Sequence, residues 1–385
     1  MRGCSGGAVA DRGDGVADSR GGGSDSRDGG SKPEGGVAGG LRVRRFESVL
    51  IALGALVLTA AAGAILLALG GHHPGEAAAA MVRGAFGSRA TFLSITLVRS
   101  IPLILAGLAV ALAFRAGVWN IGAEGQLYAG AAAAAWIGLT GAALPALVLV
   151  PAVLLGSLAA GAIWAIVPAF MRVRLGVGEV ITTILMNFVG IHLAAWLVHG
   201  PLQESRGVFP QTDPIAEAAR LPRLVPGSRL HLGFALALVV AAGLAVVLRR
   251  SRFGFRLRAV GESPEAALIA GRIDAGRVLV VCFLLSGAIA GLAGGVEISG
   301  LTFALYEDLS PGWGYTAIAV ALLAGLDPLG VVVAGILFGA LQAGAGAMQR
   351  DAGVPAAWVG VVEALVILAV LALDRLRRVR RRGGV

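Results

Sequence analysis

Residues 142–170 read AALPALVLVPAVLLGSLAAGAIWAIVPAF, without one charged side chain. About 20 apolar residues suffice for a helix to cross the hydrocarbon core of a bilayer. Comparable stretches recur along the chain, in which hydrophobic residues make up 57% and charged residues only 14%. The mean hydropathy is +0.82. Soluble domains average about 45–50% apolar and about 25% charged residues, so the composition predicts an integral membrane protein.

The apolar stretches predict an all-α polytopic membrane protein of about ten transmembrane helices. The predicted spans are 48–70, 91–114, 117–139, 142–170, 178–198, 230–248, 277–299, 312–326, 328–348 and 355–373. Segments 117–139 and 312–326 are the weakest, because Gly, Asn and Glu interrupt the first and the second is short. In the alternative, the chain has eight spans and these two segments are re-entrant pieces.

Charge and composition predict the regions outside the membrane. Residues 1–40 are rich in Gly, Ser, Asp and Arg, which is typical of a disordered tail. The transmembrane domain then covers 41–376, with a cytoplasmic loop at 249–276, and a basic tail follows at 377–385. The net charge of +9 comes from arginines beside apolar segments. This bias indicates that both termini are cytoplasmic, and it does not indicate nucleic-acid binding.

The loop contains a short helix with a well-marked start and end, in the stretch GESPEAALIAGRID at 261–274. Ser263 is a typical N-cap, and Pro264 suits the first helical position. Glu265 follows at the positive end of the helix dipole, and Gly271 is suited to end the helix in the left-handed conformation.

No motif of an enzyme is present. A P-loop needs Lys followed by Ser or Thr, whereas the only lysine, Lys32, precedes Pro33. There is no zinc-type Cys/His spacing, and no histidine lies in a catalytic pattern. We therefore expect no bound metal or cofactor, and any ATP must be bound by a separate subunit.

Several stretches resemble permease subunits of bacterial ABC importers of the simple-sugar, nucleoside and branched-chain amino acid group, nearest to the nucleoside branch. They are AFRAGVWNIGAEGQLYAGA (113–131), GEVITTILMNFV (178–189), FGFRLRAVGESPEAALIAGRI (253–273), SGAIAGLAGGVEISG (286–300) and GWGYTAIAVALLAGLDPLG (312–330). The chain departs from the pattern at Ser263 and Asp327, where Asn is usual or common.

The resemblance implies a function, a location and partners. The chain is expected to form the transmembrane pathway for a nucleoside or simple sugar, as a multi-pass protein of the bacterial cytoplasmic membrane, surrounded by lipid. Expected partners are an ABC ATPase subunit, a second and different permease chain, and an extracytoplasmic substrate-binding protein. The loop helix is expected to couple to the ATPase through Ser263, Pro264, Glu265, Ala266, Ala267, Leu268 and Gly271.

Two other classes of function stay open at this stage. A secondary transporter driven by an ion gradient needs a carboxylate at the membrane centre and two related halves, and the centres of the predicted spans are poor in carboxylates. A membrane scaffold without transport leaves the polar, glycine-interrupted segment 117–139 unexplained.

Polar side chains in the predicted spans are costly, which makes them candidates for the substrate pathway. The candidates are Asn120, Glu124, Gln126, Thr183, Asn187 and Glu297. The alternative is that they only fix helix packing by hydrogen bonds. Glu124 is also one possible partner for Arg99. Gly287, Gly291 and Gly295 recur every four residues, a spacing typical of close helix packing.

Overall fold

Helices account for most of the residues that the computed structural model describes, which are 61–65, 67–355 and a few positions between 360 and 372. The predicted tails 1–40 and 377–385 lie outside this part of the chain, as does much of the predicted spans 48–70 and 355–373. The helices are α1 Pro74–Phe86, α2 Arg89–Arg115, α3 Ala123–Thr140, α4 Ala146–Leu175, α5 Glu179–His199, α6 Gly233–Arg250, α7 Arg252–Glu262, α8 Pro264–Gly271, α9 Ala275–Thr302, α10 Trp313–Leu323 and α11 Pro328–Asp351.

Six of these helices are long and apolar enough to cross a membrane, namely α2, α4, α5, α6, α9 and α11. They confirm a polytopic helical membrane protein, whereas ten spans are not confirmed. The helix α10 has 11 residues, or about 16 Å, against about 30 Å for the hydrocarbon core. Its length fits the alternative in which 312–326 is a re-entrant piece.

Local sequence explains several helix boundaries. Asp274 and Asp327 begin α9 and α11, and their carboxylates accept hydrogen bonds from the backbone N–H groups of Arg277 and Gly330, both at 3.1 Å. Pro328 follows at the first position of α11, where its missing N–H costs nothing. Gly176, with φ of 67°, ends α4 in the left-handed conformation.

Burial separates a central helix from peripheral ones. The most apolar stretch of α2 is 89% buried within the protein, whereas the corresponding stretches of α4 and α5 are 22% and 28% buried. The centre of the core therefore includes α2. The most apolar stretches of α9 and α11 are each 61% buried. The exposed apolar faces of α4 and α5 remain for lipid or for another chain.

Two helices were not predicted. The helix α1 lies in a stretch predicted as a loop, and it packs against α11 through Gly84, which contacts Ala347 and Gly344. The helix α7 lies within the predicted loop 249–276 and buries Leu257 and Val260. Because α7 precedes α8 directly, this loop is a pair of short helices.

Candidate functional site

The chain enters α3 through a non-helical stretch, residues 116–122, which begins at the end of the bundle that carries α7 and α8. We call this end of the bundle the loop end and the other end of the bundle the opposite end. Gly117 and the carbonyl of Arg115 lie against Gly261 of α7. The first turn of α3 contacts Asn187, eight residues along α5, or about 12 Å from its start. Thus α3 begins inside the bundle, where irregular backbone is tolerated only if it is buried in protein or lines a cavity.

Asn187 holds the start of α3 in place. Its side chain is fully buried. The Oδ1 atom accepts a hydrogen bond from the N–H of Gly125, and Nδ2 donates one to the carbonyl of Ile121, both at 2.8 Å. One side chain therefore satisfies a free N–H of the helix start and a carbonyl of the irregular stretch before it.

Asn120 joins the irregular stretch to the centre of the bundle. Its Nδ2 donates to Ser286 of α9 at 2.8 Å and to Gln126 at 3.1 Å, and its Oδ1 accepts from the N–H of Gly122 at 3.0 Å. Ser286 in turn donates to the carbonyl of Ala109 in α2 at 2.7 Å. This network is buried, and it fixes residues 116–122 against both α2 and α9.

Glu124 connects the starts of two interrupted helices. It lies in the first turn of α3 and is 1% exposed, and its Oε2 accepts a 2.6 Å hydrogen bond from the N–H of Gly314 in the first turn of α10. Ser310 also bonds to this carboxylate. The N-termini of α3 and α10 meet here, and the positive ends of both helix dipoles favour a carboxylate.

We call the starts of α3 and α10, together with Asn187 of α5, the junction. Tyr315 is the exposed side chain of this junction. It is 39% exposed, and it lies beside Asn187 and Glu124. The neighbouring Trp313 is buried, and its Nε1 has no hydrogen-bond partner among the described residues. Tyr315 thus brings a partly exposed aromatic side chain to the surface between α5 and α10, at the depth where both α3 and α10 begin, and its hydroxyl bonds to Asn187.

A second polar contact lies on the same line between α5 and α10, at the opposite end. His199, the last residue of α5, lies 3.0 Å from the carboxylate of Glu307. The hydroxyl of Tyr128 donates to the carbonyl of Glu307 at 3.4 Å and accepts from the N–H of Ser310 at 3.1 Å. The α5–α10 seam, defined as the surface beside α5 from Glu307 to Tyr315, therefore carries polar groups at both of its ends.

The structure thus brings together five of the six predicted pathway residues. Thr183 donates to the carbonyl of Glu179 at 2.7 Å and lies against Gly122. Glu297 lies elsewhere, buried near the opposite end of α9, where Arg229 and Arg99 are the cations that act on it. The sequence made Glu124 a possible partner for Arg99. Arg99 donates to the carbonyl of Gln342 at 2.8 Å, and the carboxylate of Glu124 accepts from the N–H of Gly314 in α10.

The glycines of α9 lie against α4. A Cβ atom at Gly287 would collide with the carbonyl oxygen of Gly161, and one at Gly291 with that of Ser157. A Cβ atom at Gly295 would overlap the side chain of Ser157. These contacts leave no room for larger side chains between the two helices.

The short helix α8 has the predicted start. Ser263 accepts a 3.2 Å hydrogen bond from the N–H of Ala266, with Pro264 at the first position. The left-handed residue at its end is Arg272, one position after the predicted Gly271, with φ of 49°. The backbone N–H of Arg272 donates back to the carbonyl of Leu268, which is the αL type of helix ending, and that of Ile273 donates to the carbonyl of Ala267.

The faces of α8 differ in exposure. Ala267 is 6% exposed and belongs to the hydrophobic core of the bundle. Leu268 and Ile269 are 58% and 84% exposed. The helix therefore rests on its own chain through Ala267 and presents two large apolar side chains outward.

An ionic cluster joins the loop-end termini of three long helices. Asp327, before α11, bonds to Arg249 of α6 at 2.8 Å and lies 3.9 Å from Arg115 of α2. Arg115 also donates to the carbonyl of Leu326 at 2.8 Å. Partial burial alone would raise the pKa of Asp327, but the bonds from Arg249 and from the N–H of Gly330, with the two arginine charges, lower that pKa below its usual value.

Residues 92–371 match the family described as the branched-chain amino acid transport system permease component. The chain belongs to this family. It is 41% identical to the glucose ABC transporter permease protein TsgB13 of Haloferax volcanii over 75% of this chain and 78% of that protein. It is 38% identical to the guanosine ABC transporter permease protein NupP of Bacillus subtilis over 85% and 94% of the two chains. NupQ, a guanosine ABC transporter permease protein of the same organism, is 29% identical over 64% and 79%.

No solved structure matches the chain. The family and the six apolar helices show that the protein is a multi-pass permease subunit of an ABC transporter in the inner membrane. It is a transport protein rather than an enzyme, and the ion-driven secondary transporter is not supported. Sequence reasoning missed Tyr315, Ser286 and Gly314, because their neighbours lie more than a hundred residues away along the chain.

Proposed function

We propose that the chain forms one wall of an import pathway for a nucleoside and that this wall is the α5–α10 seam. The observation that carries the proposal is Tyr315, whose side chain is 39% exposed at the start of a half-length helix, beside Asn187. A partly exposed polar side chain at membrane depth is unfavourable against hydrocarbon, whereas a water-filled pathway accommodates it. Relatives act on guanosine and on glucose, and the aromatic ring beside Asn187 favours a base over a sugar alone.

In this proposal the buried polar residues position the wall. Asn120, Asn187 and Glu124 have their polar atoms bonded within the chain, so they keep α3 and α10 in place while Tyr315 meets the substrate. Stacking of a base on an aromatic side chain is tolerant of the base, which suits a pathway that must also release its substrate.

Uptake measurements test the pathway. In cells that express the complete transporter, Tyr315→Ala should lower guanosine uptake about tenfold, the size expected from losing one stacking contact. Tyr315→Phe should retain most uptake, and Val239→Ala, at a 66% exposed position of α6, is the control for a surface change. Normal guanosine uptake by Tyr315→Ala, with normal amounts of complex, would contradict the proposal. Selective loss of glucose uptake would assign the sugar instead.

We further propose that the partners are a separate ATPase, an extracytoplasmic binding protein and a second permease chain of different sequence. Two guanosine permease proteins of Bacillus subtilis, NupP and NupQ, are similar to this chain, which is 38% identical to NupP and 29% identical to NupQ. The partner is therefore expected to be of the NupQ kind. Purification of the complex through a tag on this chain, followed by mass determination, should find one copy of each permease.

The loop end is proposed to face the cytoplasm and to bind the ATPase through α8. Ile269→Asp should leave the amount of folded permease unchanged and abolish ATPase binding, because it places a charge on the exposed apolar face. Val208→Asp, on an exposed loop at the opposite end, is the matched control. Ala267→Arg is a poorer test, because that buried position holds α8 on its own chain. Undiminished ATPase binding by Ile269→Asp would remove α8 from this role.

A labelling experiment tests the orientation. Ser205 lies exposed in the loop after α5, at the opposite end from α8. A cysteine at position 205 should react with an impermeant thiol reagent added outside intact cells, and a cysteine at position 265 should not. The reverse pattern would invert the proposed topology.

A further inference from the structure

A shallow apolar groove runs between the second half of α4 and the first half of α9. Its walls include Ile166, Phe170, Val280 and Leu284, and it ends at Arg174 near the loop end. Ile166 and Phe170 are 49% and 54% exposed. The described residues therefore leave this groove uncovered along a membrane-spanning helix.

The length of the groove corresponds to one leaflet of a bilayer. From Ile166 to Arg174 is eight residues of α4, or about 12 Å. This is less than half of the roughly 30 Å hydrocarbon core. A hydrocarbon chain that enters at the loop end would thus lie beside α4 without crossing the membrane centre.

The mouth of the groove is positively charged. Arg174 lies in the exposed last turn of α4 and forms no ion pair with any residue that the structure describes. Val173 packs against Gly276 in the first turn of α9, which brings the positive end of that helix dipole to the mouth. The nearby acid, Asp274, is already bonded to Arg277 at 3.0 Å, and Arg172 is paired with Glu179 at 3.1 Å.

We propose that this groove binds one anionic phospholipid of the adjacent leaflet. One acyl chain lies between Phe170 and Leu284, and the phosphate lies on the guanidinium of Arg174. Basic pockets between transmembrane helices recognise anionic headgroups in this way, because the charge attracts the headgroup while the apolar walls hold the chain. A free phosphate lacks the apolar contacts, and a zwitterionic lipid gains less from the arginine.

Native mass spectrometry of the purified permease complex tests the site, with phosphatidylglycerol and phosphatidylcholine as probes. Arg174→Ala should reduce phosphatidylglycerol binding roughly fivefold and leave phosphatidylcholine binding unchanged. Val280→Trp, which fills the groove, should reduce binding of both lipids. Arg272→Ala, an exposed arginine that does not line the groove, is the control for net charge.

The remaining outcomes separate other occupants. Inorganic phosphate at millimolar concentration should not displace the lipid, and displacement would show an anion site without the lipid. If Val280→Trp releases the second permease chain while lipid binding stays the same, the groove is a subunit interface and the proposal is wrong. Equal loss of both lipids in Arg174→Ala would also contradict headgroup recognition.

Discussion

The junction of α3, α5 and α10 and the short helix α8 use side chains in opposite ways. At the junction, polar side chains such as Asn120 and Asn187 are fully buried and bonded to backbone groups of the same chain. On α8, the polar residue Ser263 only caps the helix, while the apolar Ile269 is 84% exposed. The comparison teaches that buried polar residues here shape the backbone, whereas α8 leaves two large apolar side chains, Leu268 and Ile269, uncovered.

The reason is the membrane environment of the two regions. Backbone groups that leave a helix within the bundle have no water to bond with, so side-chain amides must replace the missing partners. At the loop end the backbone of α8 is accessible to water, and its caps need to contribute only about 1 kcal/mol each. Substitutions at the bundle centre should therefore destabilise the protein more than substitutions at the loop end.

The largest expected effect is at the contact between α9 and α4. Gly291→Val should abolish accumulation of folded permease, because the side chain would collide with the carbonyl of Ser157, and neither backbone can move without displacing its helix. Gly243→Val, on α6, meets open space and is the matched control. Fluorescence-detected size-exclusion chromatography of both variants measures the difference. Equal yields would show that α9 and α4 are not closely packed.

Asn187→Leu should be strongly destabilising at the junction. It leaves the N–H of Gly125 and the carbonyl of Ile121 buried without partners, at a cost of about 1–3 kcal/mol each. Thermal unfolding of the purified complex in detergent measures the loss. His192→Leu, at an exposed position of the same helix, should have little effect. If Asn187→Leu unfolds at the wild-type temperature but transports poorly, Asn187 contacts substrate and does not support the fold.

Sequence reasoning predicted local features and missed distant pairings. The start of α8 follows from Ser263 and Pro264 alone, because a cap and its partner lie within three residues. The polar residues at 120–126 and 187 were predicted as one group of candidates, and the structure brings them together. The sequence could not show that Asn120 meets Ser286, 166 residues away, because such contacts depend on how the helices pack. The short helix α7 was missed because Leu257 and Val260 are few apolar residues among many arginines.

Asp327→Asn should have a moderate effect at the loop end. Asn keeps the cap on α11 but removes the charge between Arg249 and Arg115, so we expect a loss of up to about 1 kcal/mol for this part-exposed pair. The lowered pKa of Asp327 means that its contribution is complete above the usual carboxyl range and is lost as the pH falls through the folded-state value. The destabilisation should thus be equal at pH 6 and pH 8. A larger loss at pH 8 than at pH 6 would show that another group titrates with the cluster.

The smallest expected effect on the stability of the whole protein is that of Ser263→Ala, because its cost stays within α8. The substitution removes the bond to the N–H of Ala266, which typically costs about 1 kcal/mol. A helix of eight residues is marginal by itself, so this cost should raise local opening rather than unfold the bundle.

Hydrogen exchange of the permease without its ATPase should show roughly fivefold faster exchange in α8 only, since local opening follows the lost free energy. Ser263→Asn should restore protection because Asn is an equally good cap. Ser251→Ala removes the equivalent bond at the start of α7, and its effect should stay within α7, whose buried Leu257 and Val260 hold it on the bundle. Unchanged hydrogen exchange in Ser263→Ala would mean that the buried contact of Ala267 holds α8 in place. The cap would then contribute nothing to keeping the exposed face of α8 ordered for a partner.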